Sequence, residues 1–88
     1  MYKIYKYPFE TTDNFIIEMP YDSKILNAFC QNDIPWIWAL VNPQRKLQKR
    51  KFTIIGTGHP IEETYNLEHI STFSQSDGKF IWHLFEIV

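Results

Sequence analysis

Trp36-Ile37-Trp38-Ala39-Leu40-Val41 is the longest apolar run in this 88-residue chain. Six residues are far fewer than the roughly 20 that a membrane-spanning helix needs. A short, continuous apolar run is typical of a strand that is covered on both faces. We therefore expect a buried strand, with Trp36 and Trp38 on the same face because side chains alternate along a strand.

The segments on either side of this run also have strand patterns, separated by turn signals. Asn42-Pro43 ends the run, a basic connector covers residues 44–50, and residues 51–55 return as the next strand. Further strands are predicted over residues 2–7, 15–19, 23–30, 69–74 and 79–87, with a short helical turn within 62–67. The hairpin loops are Gln31-Asn32-Asp33 and Ser76-Asp77-Gly78. The pattern predicts one all-β domain over residues 1–88, a small antiparallel β-sandwich or partly open barrel of about seven strands.

Composition favours a small cytoplasmic domain with spare apolar surface. Aromatic residues make up 17% of the chain, which compensates for the thin core of so short a sequence. The spare apolar surface predicts a homo-oligomer. Cys30 is the single cysteine and alternates with Leu26 and Ala28, so we expect a buried structural thiol and a reducing compartment. Residues 1–6 lack the apolar segment of a signal peptide, which again predicts a cytoplasmic protein.

Charge is unevenly distributed along the chain. The net charge is −1, yet Arg45, Lys46, Lys49, Arg50 and Lys51 supply five of the nine cations. The other positions carry four lysines against ten acids. This balance argues against binding of long nucleic acid, which needs an overall basic surface, but it permits a local anion site.

The motif Gly56-Thr57-Gly58-His59-Pro60-Ile61 contains two of the three glycines and follows a predicted strand. Glycine reaches positive φ without a steric penalty and allows close approach to the backbone. Thr57, Gly58 and His59 each keep an N–H donor, and a strand ladder does not need all three. The motif is therefore either a tight strand-to-loop turn or a cradle for an anion or small ligand.

No catalytic or metal constellation is visible in the sequence. Cys30 is expected to be buried, and no serine stands in a recognisable nucleophile motif. His59, His69 and His83 are too far apart in sequence to form a local metal-ligand pair. We therefore expect no enzyme activity, no metal and no cofactor.

Aromatic and basic side chains complete the candidate ligand site. Trp36 and Trp38 form a possible stacking surface, and Tyr7-Pro8-Phe9 could supply an exposed ring. If residues 36–41 and 51–55 pair as a hairpin, the basic connector lies at the opposite end from the glycine motif. The two features would then meet only across an interface between protomers. The candidate ligand-binding residues are Tyr7, Phe9, Trp38, Arg45, Arg50, Thr57, Gly58, His59 and Pro60.

Several segments resemble a family of small, often phage-encoded proteins. They are Ile17-Glu18-Met19-Pro20, Lys24-Ile25-Leu26, Trp38-Ala39-Leu40-Val41, Gly56-Thr57-Gly58-His59-Pro60-Ile61 and Phe80-Ile81-Trp82-His83-Leu84-Phe85-Glu86. The resemblance covers nearly the whole chain, and the glycine-histidine-proline motif is its most specific part. It implies an anti-defence sponge that holds a cyclic nucleotide signal of bacterial immunity, of the CBASS or Thoeris type, without cleaving it. Such sponges form their pockets on oligomerisation.

Three functions follow as hypotheses. The first is a non-enzymatic phage protein that sequesters a cyclic dinucleotide or a cyclic ADP-ribose relative in the host cytoplasm. There Thr57, Gly58 and His59 would bind phosphate or ribose, and Arg45 or Arg50 would clamp phosphate. The second is a structural or protein-interaction β-module of a phage with no small-molecule ligand. The third is a binder of single-stranded nucleic acid that uses Trp36, Trp38 and the basic connector.

Overall fold

The computed structural model describes residues 1–61 and 66–88, and within them all regular structure is β-strand. The strands are β1 (Lys3–Pro8), β2 (Asn14–Pro20), β3 (Lys24–Gln31), β4 (Ile34–Val41), β5 (Leu47–Gly56), β6 (Leu67–Gln75) and β7 (Phe80–Ile87). The all-β prediction of about seven strands is confirmed. The helical turn predicted within 62–67 falls mainly on residues 62–65, which lie outside the described residues, while Leu67 already belongs to β6.

The seven strands form two antiparallel sheets that pack as a sandwich. The three-stranded sheet has the order β1-β4-β3, and the four-stranded sheet has the order β2-β5-β7-β6. The predicted hairpin loops are confirmed, because Asn32 and Asp33 adopt φ of 52° and 65° between β3 and β4. In the second loop Lys79 N donates to Ser76 O at 3.1 Å.

The predicted hairpin between residues 36–41 and 51–55 is wrong. β4 belongs to the three-stranded sheet and β5 to the four-stranded sheet, so the connection between them crosses from one layer to the other. β5 also begins at Leu47, which places Lys49, Arg50 and Lys51 in the strand, opposite Glu18, Ile17 and Ile16 of β2. The connector is therefore confined to residues 42–46. It still lies far from the glycine motif, because the nine steps from Leu47 to Gly56 span about 30 Å.

The core lies between the two sheets. Its largest fully buried side chains are Met19, Ile37, Val41, Phe52 and Leu84. β4 contributes Ile37, Ala39 and Val41, while Trp36 and Trp38 alternate with them and are only half-buried. The two tryptophans do share a face, as predicted. The expectation that the chain covers both faces of this strand is wrong, since full burial is confined to the inner face.

A β-bulge changes the faces predicted for β3. The register shifts between Ile25 and Asn27, which leaves Leu26 exposed and aligns Ile25 with the inward-facing Ala28 and Cys30. Cys30 is half-buried rather than fully buried. Burial, together with the nearby Asp33 carboxylate, raises the pKa of the Cys30 thiol.

A second bulge lies between His69 and Ser71 of β6, where that strand meets β3. Ser71 Oγ donates to the carbonyl oxygen of Ala28 at 2.6 Å. This hydrogen bond ties the two sheets together along one side of the sandwich.

Candidate ligand site

The glycine motif forms a tight turn at the end of β5. His59 N donates to Gly56 O at 3.1 Å, and Gly58 between them has a φ of 86°. A positive φ at the third residue is the signature of a type II turn and favours glycine there. Thr57 N also has a partner, the carbonyl oxygen of Ile81, at 3.4 Å. Of the three N–H donors proposed for a cradle, those of Thr57 and His59 therefore already have partners within the fold, and the motif forms the predicted tight turn.

Gly56 is required by packing rather than by its φ. A Cβ at this position would lie 3.0 Å from both Cε1 and Nδ1 of His59 and 3.4 Å from Cζ3 of Trp82. The missing side chain lets the His59 imidazole fold back over the end of β5. The turn thus holds His59 in place through a contact with the backbone of the strand.

Beside His59 lies an open cleft of about 610 Å³. It lies between the start of β2 and the last residues of β5, and it is also lined by Pro60 and Ile61 after the turn and by Asn66 and Leu67 at the start of β6. The lining residues are Asp13, Asn14, Thr53, Ile54, Ile55, His59, Pro60, Ile61, Asn66, Leu67 and Ile87. Its volume lies within the range of small-molecule sites.

The cleft combines apolar walls with hydrogen-bonding groups. Thr53 and Ile55 alternate with the buried Phe52 and Ile54, so they face outward from the four-stranded sheet. The Asp13 backbone carbonyl accepts from Thr53 Oγ1 at 2.7 Å and from Ile54 N at 3.1 Å, which anchors the entry to β2. Among the described lining residues there is no lysine or arginine. This donor and acceptor set suits an uncharged ring or sugar better than a phosphate.

A row of hydroxyls and imidazoles lies on the same outer face, next to the cleft. Thr57 Oγ1 is 2.8 Å from His83 Nε2, His83 Nδ1 is 3.0 Å from Thr72 Oγ1, and the same hydroxyl is 3.0 Å from His69 Nε2. His83 pairs directly with Ile55, a lining residue of the cleft.

The directions of the hydrogen bonds in this row depend on one another. The Thr72 hydroxyl has one proton, so when it donates to one imidazole it accepts from the other or from neither. A change of the His83 tautomer therefore reverses its hydrogen bonds to Thr57 and Thr72, and the bond between Thr72 and His69 then persists only if the His69 nitrogen carries a proton. Both ring nitrogens of His83 have hydroxyl partners, whereas the histidine of a catalytic triad is oriented by a carboxylate.

Sequence reasoning missed this row. The period-2 pattern places His83 and Phe85 on one face of the last strand. It does not show that Thr72 lies opposite His83, because the register of β6 on β7 depends on the bulge at Ile70.

Arg50, a predicted phosphate clamp, is already paired. Its Nε and Nη2 donate to the two carboxylate oxygens of Glu86, the second at 2.9 Å, and its Nη1 donates to Ser23 O at 2.8 Å. The hydrogen bond to Glu86 raises the pKa of Arg50 against the opposing effect of burial. The side chains of Arg50 and Glu86 are only 15% and 12% exposed. The guanidinium of Arg50 thus faces the sandwich interior and serves the fold, and its role as a phosphate clamp stays a prediction.

The other predicted site residues are spread over the molecule. Phe9 is 8% exposed and stacks on Phe15 at 4.9 Å between ring centroids, so the expected exposed ring at Phe9 is wrong. Tyr7 packs against the core, and burial raises its pKa. Arg45 remains exposed, 3.8 Å from the Asp22 carboxylate. Trp38 lies on the outer face of the three-stranded sheet.

The described residues contain neither a metal-binding cluster nor a membrane-spanning helix. Residues 1–61 and 66–88 hold no group of three or more His, Cys, Asp or Glu side chains able to share a metal ion. The same residues include no helix long and apolar enough to cross a membrane.

The fold and the cleft define a small two-sheet β protein with a candidate small-molecule site. Its sequence matches the family model described as a domain of unknown function, DUF7352, over residues 1–88, and the chain belongs to that family. No curated protein and no solved structure shows significant similarity to it.

Proposed function

We propose that this protein binds a small nucleotide-like ligand in the cleft beside His59 and holds it without chemical change. The observation that supports this most directly is that His59, Pro60 and Ile61 of the glycine motif line a cleft of about 610 Å³. The turn positions these residues, and the missing Cβ of Gly56 lets the imidazole fold back. Holding a ligand in this way requires binding affinity and no catalytic turnover.

The cleft favours the nucleoside part of such a ligand. Ile55, Ile61 and Ile87 offer apolar contact area for a planar base. Asn14 and Asn66 can each pair with a base edge through one donor and one acceptor. The Asp13 carboxylate can accept a hydrogen bond from a ribose hydroxyl, as acidic residues do in dinucleotide sites.

In its most specific form, the proposal is sequestration of a cyclic nucleotide immune signal by a phage protein. The phosphates of such a ligand need cations, and the described lining of the cleft supplies none. The exposed connector residues Arg45 and Lys46 lie beyond the other end of β5, where Leu47 is about 20 Å along the strand from Thr53 of the cleft. We therefore assign the phosphate contacts to the connector of a second protomer, so that the complete pocket is an oligomer interface.

Calorimetry against a panel of nucleosides, mononucleotides, cyclic dinucleotides and cyclic ADP-ribose tests this proposal. We expect at least one compound to bind with Kd below ~10 μM, about −7 kcal/mol, and to be recovered intact by chromatography. His59→Ala should weaken binding at least tenfold. His69→Ala is the matched control, because it removes an exposed imidazole from the same sheet outside the cleft.

Two results would contradict the proposal. If no compound in the panel binds below ~10 μM, the chain is better described as an interaction module. Recovery of a cleaved ligand would indicate an enzyme instead.

A further inference from the structure

The outer face of the three-stranded sheet is aromatic and lies outside the proposed ligand cleft. The strand register places on this face the residues that alternate with the buried Ile37 and Ala39 of β4. We call this set the aromatic face; it consists of Ile4, Lys6, Pro8, Lys24, Asn27, Phe29, Gln31, Ile34, Trp36, Trp38 and Leu40.

The rings of the aromatic face are ordered by contacts with each other. Phe29 stacks on Trp38 with 4.2 Å between centroids and 11° between ring planes. Phe29 is the open member of this pair, since it is 43% exposed. Lys6 Nζ lies 4.2 Å from the centroid of the Trp36 ring and donates to Gln31 Oε1 at 2.9 Å.

The charge on the aromatic face has one sign. Lys6 and Lys24 are its only ionisable members, and the set contains no acid. A second copy docked on this face by a two-fold axis would bring these lysines toward their own copies without a carboxylate to pair with. Cations, amides and stackable rings together instead match a polyanion that carries planar bases.

We propose that the aromatic face binds a short single-stranded stretch of nucleic acid. Bases continue the Phe29–Trp38 stack, and phosphates lie against Lys6 and Lys24. The seven steps from Ile34 to Val41 of β4 span about 23 Å, enough for roughly four nucleotides. This site is on a different sheet from the cleft, so it neither depends on the small-ligand proposal nor fails with it.

With two lysines on the aromatic face, the binding constant should depend only weakly on salt concentration. Each phosphate neutralised on a single strand contributes about −0.7 to the slope of log K against log salt, so the expected slope is about −1.4. A long nucleic acid would require a wider basic surface than this face offers. The binding is therefore short-range and relies on stacking.

The test is tryptophan fluorescence and anisotropy titration of the full chain with labelled eight-nucleotide single strands and with a duplex of the same length. We expect quenching with the single strands and weaker binding of the duplex. Phe29→Ala should lower affinity at least tenfold, and Lys6→Gln should lower the salt slope from about −1.4 to about −0.7. Phe80→Ala is the matched control, because Phe80 is exposed and stacks on Trp82 of the other sheet. Circular dichroism checks that each variant folds.

Three outcomes would overturn the proposal. One is no binding of any strand at ~100 μM, a Kd that corresponds to about −5.5 kcal/mol. Another is equal loss of affinity in Phe29→Ala and Phe80→Ala. The third is a concentration-dependent dimer that Phe29→Ala disrupts in the absence of nucleic acid, since this would assign the face to a second copy.

Discussion

Single residues explain how the glycine motif works. Gly56 and Gly58 have different physical roles, although both were expected to provide backbone freedom. Gly58 supplies the positive φ of the turn and has open space around it, whereas Gly56 supplies room for the His59 ring. Substitution by alanine should therefore have different effects at the two positions.

Gly58→Ala should cost about 1 kcal/mol of stability, because alanine is strained at a φ of 86°. Gly56→Ala should displace His59 and weaken ligand binding, with a smaller loss of stability, because the clash is with an exposed side chain. Urea unfolding and calorimetry measure the two effects. If Gly56→Ala also impairs binding by the same factor when His59 is already alanine, the effect does not pass through His59.

At the scale of elements, the Arg50–Glu86 pair connects β5 with β7 and, through the Ser23 carbonyl, with the turn before β3. A long cationic side chain in an apolar sandwich is tolerated because three of its five N–H donors are used. The pair thus fixes how the start of β3 sits against the four-stranded sheet.

Glu86→Gln should destabilise the fold by about 3 kcal/mol, because it leaves a largely buried guanidinium without its counter-charge. Arg45→Gln is the control, since its partner Asp22 is exposed and such pairs contribute less than about 1 kcal/mol. Chemical denaturation with fitted m-values measures both. Equal losses in the two variants would mean that the pair at Arg50 has no special structural role.

The whole molecule is a thin two-layer body, with extents of 40 × 32 × 16 Å. Its outer surfaces differ: the four-stranded sheet carries the cleft and the hydroxyl–imidazole row, and the three-stranded sheet carries the aromatic face. The two proposed activities therefore occupy opposite sides of the protein. Because the core between them is thin, small changes in burial should affect global stability.

Stability should fall as the pH rises above about 8.5, the ordinary pKa of a cysteine thiol. Burial raises the pKa of Cys30 in the folded state, so the unfolded chain loses this proton first. The contribution is complete below the unfolded pKa and is lost as the pH rises through the folded pKa. Urea unfolding of the wild type and of Cys30→Ala between pH 7.5 and about 9.5 checks this. The variant should show the smaller decline, and identical declines would refute the assignment.

Local pattern was enough to predict the seven strands and both hairpin loops. Side-chain alternation and turn chemistry act over a few residues, and they depend little on what the segment later packs against. The run 36–41 could thus be recognised as a strand, and Ser76-Asp77-Gly78 could be recognised as a hairpin turn. The segregation of Trp36 and Trp38 to one face follows from the same alternation.

Only the tertiary structure decided which strands share a sheet and which side chains meet. β4 and β5 are neighbours in sequence but lie in different layers, because their partners are chosen by packing over the whole chain. The bulges at Leu26 and Ile70 shift the register by one residue, which exposes Leu26 and brings His83 opposite Thr72. Arg45 and Arg50 belong to the same basic stretch of the sequence. Long-range contact with Glu86 gives Arg50 a structural role, whereas Arg45 remains exposed beside Asp22. Contacts between distant segments carry no local signal, and for this reason the cleft, and the positions of Phe29 and Lys6 beside the two tryptophans, emerged only from the fold.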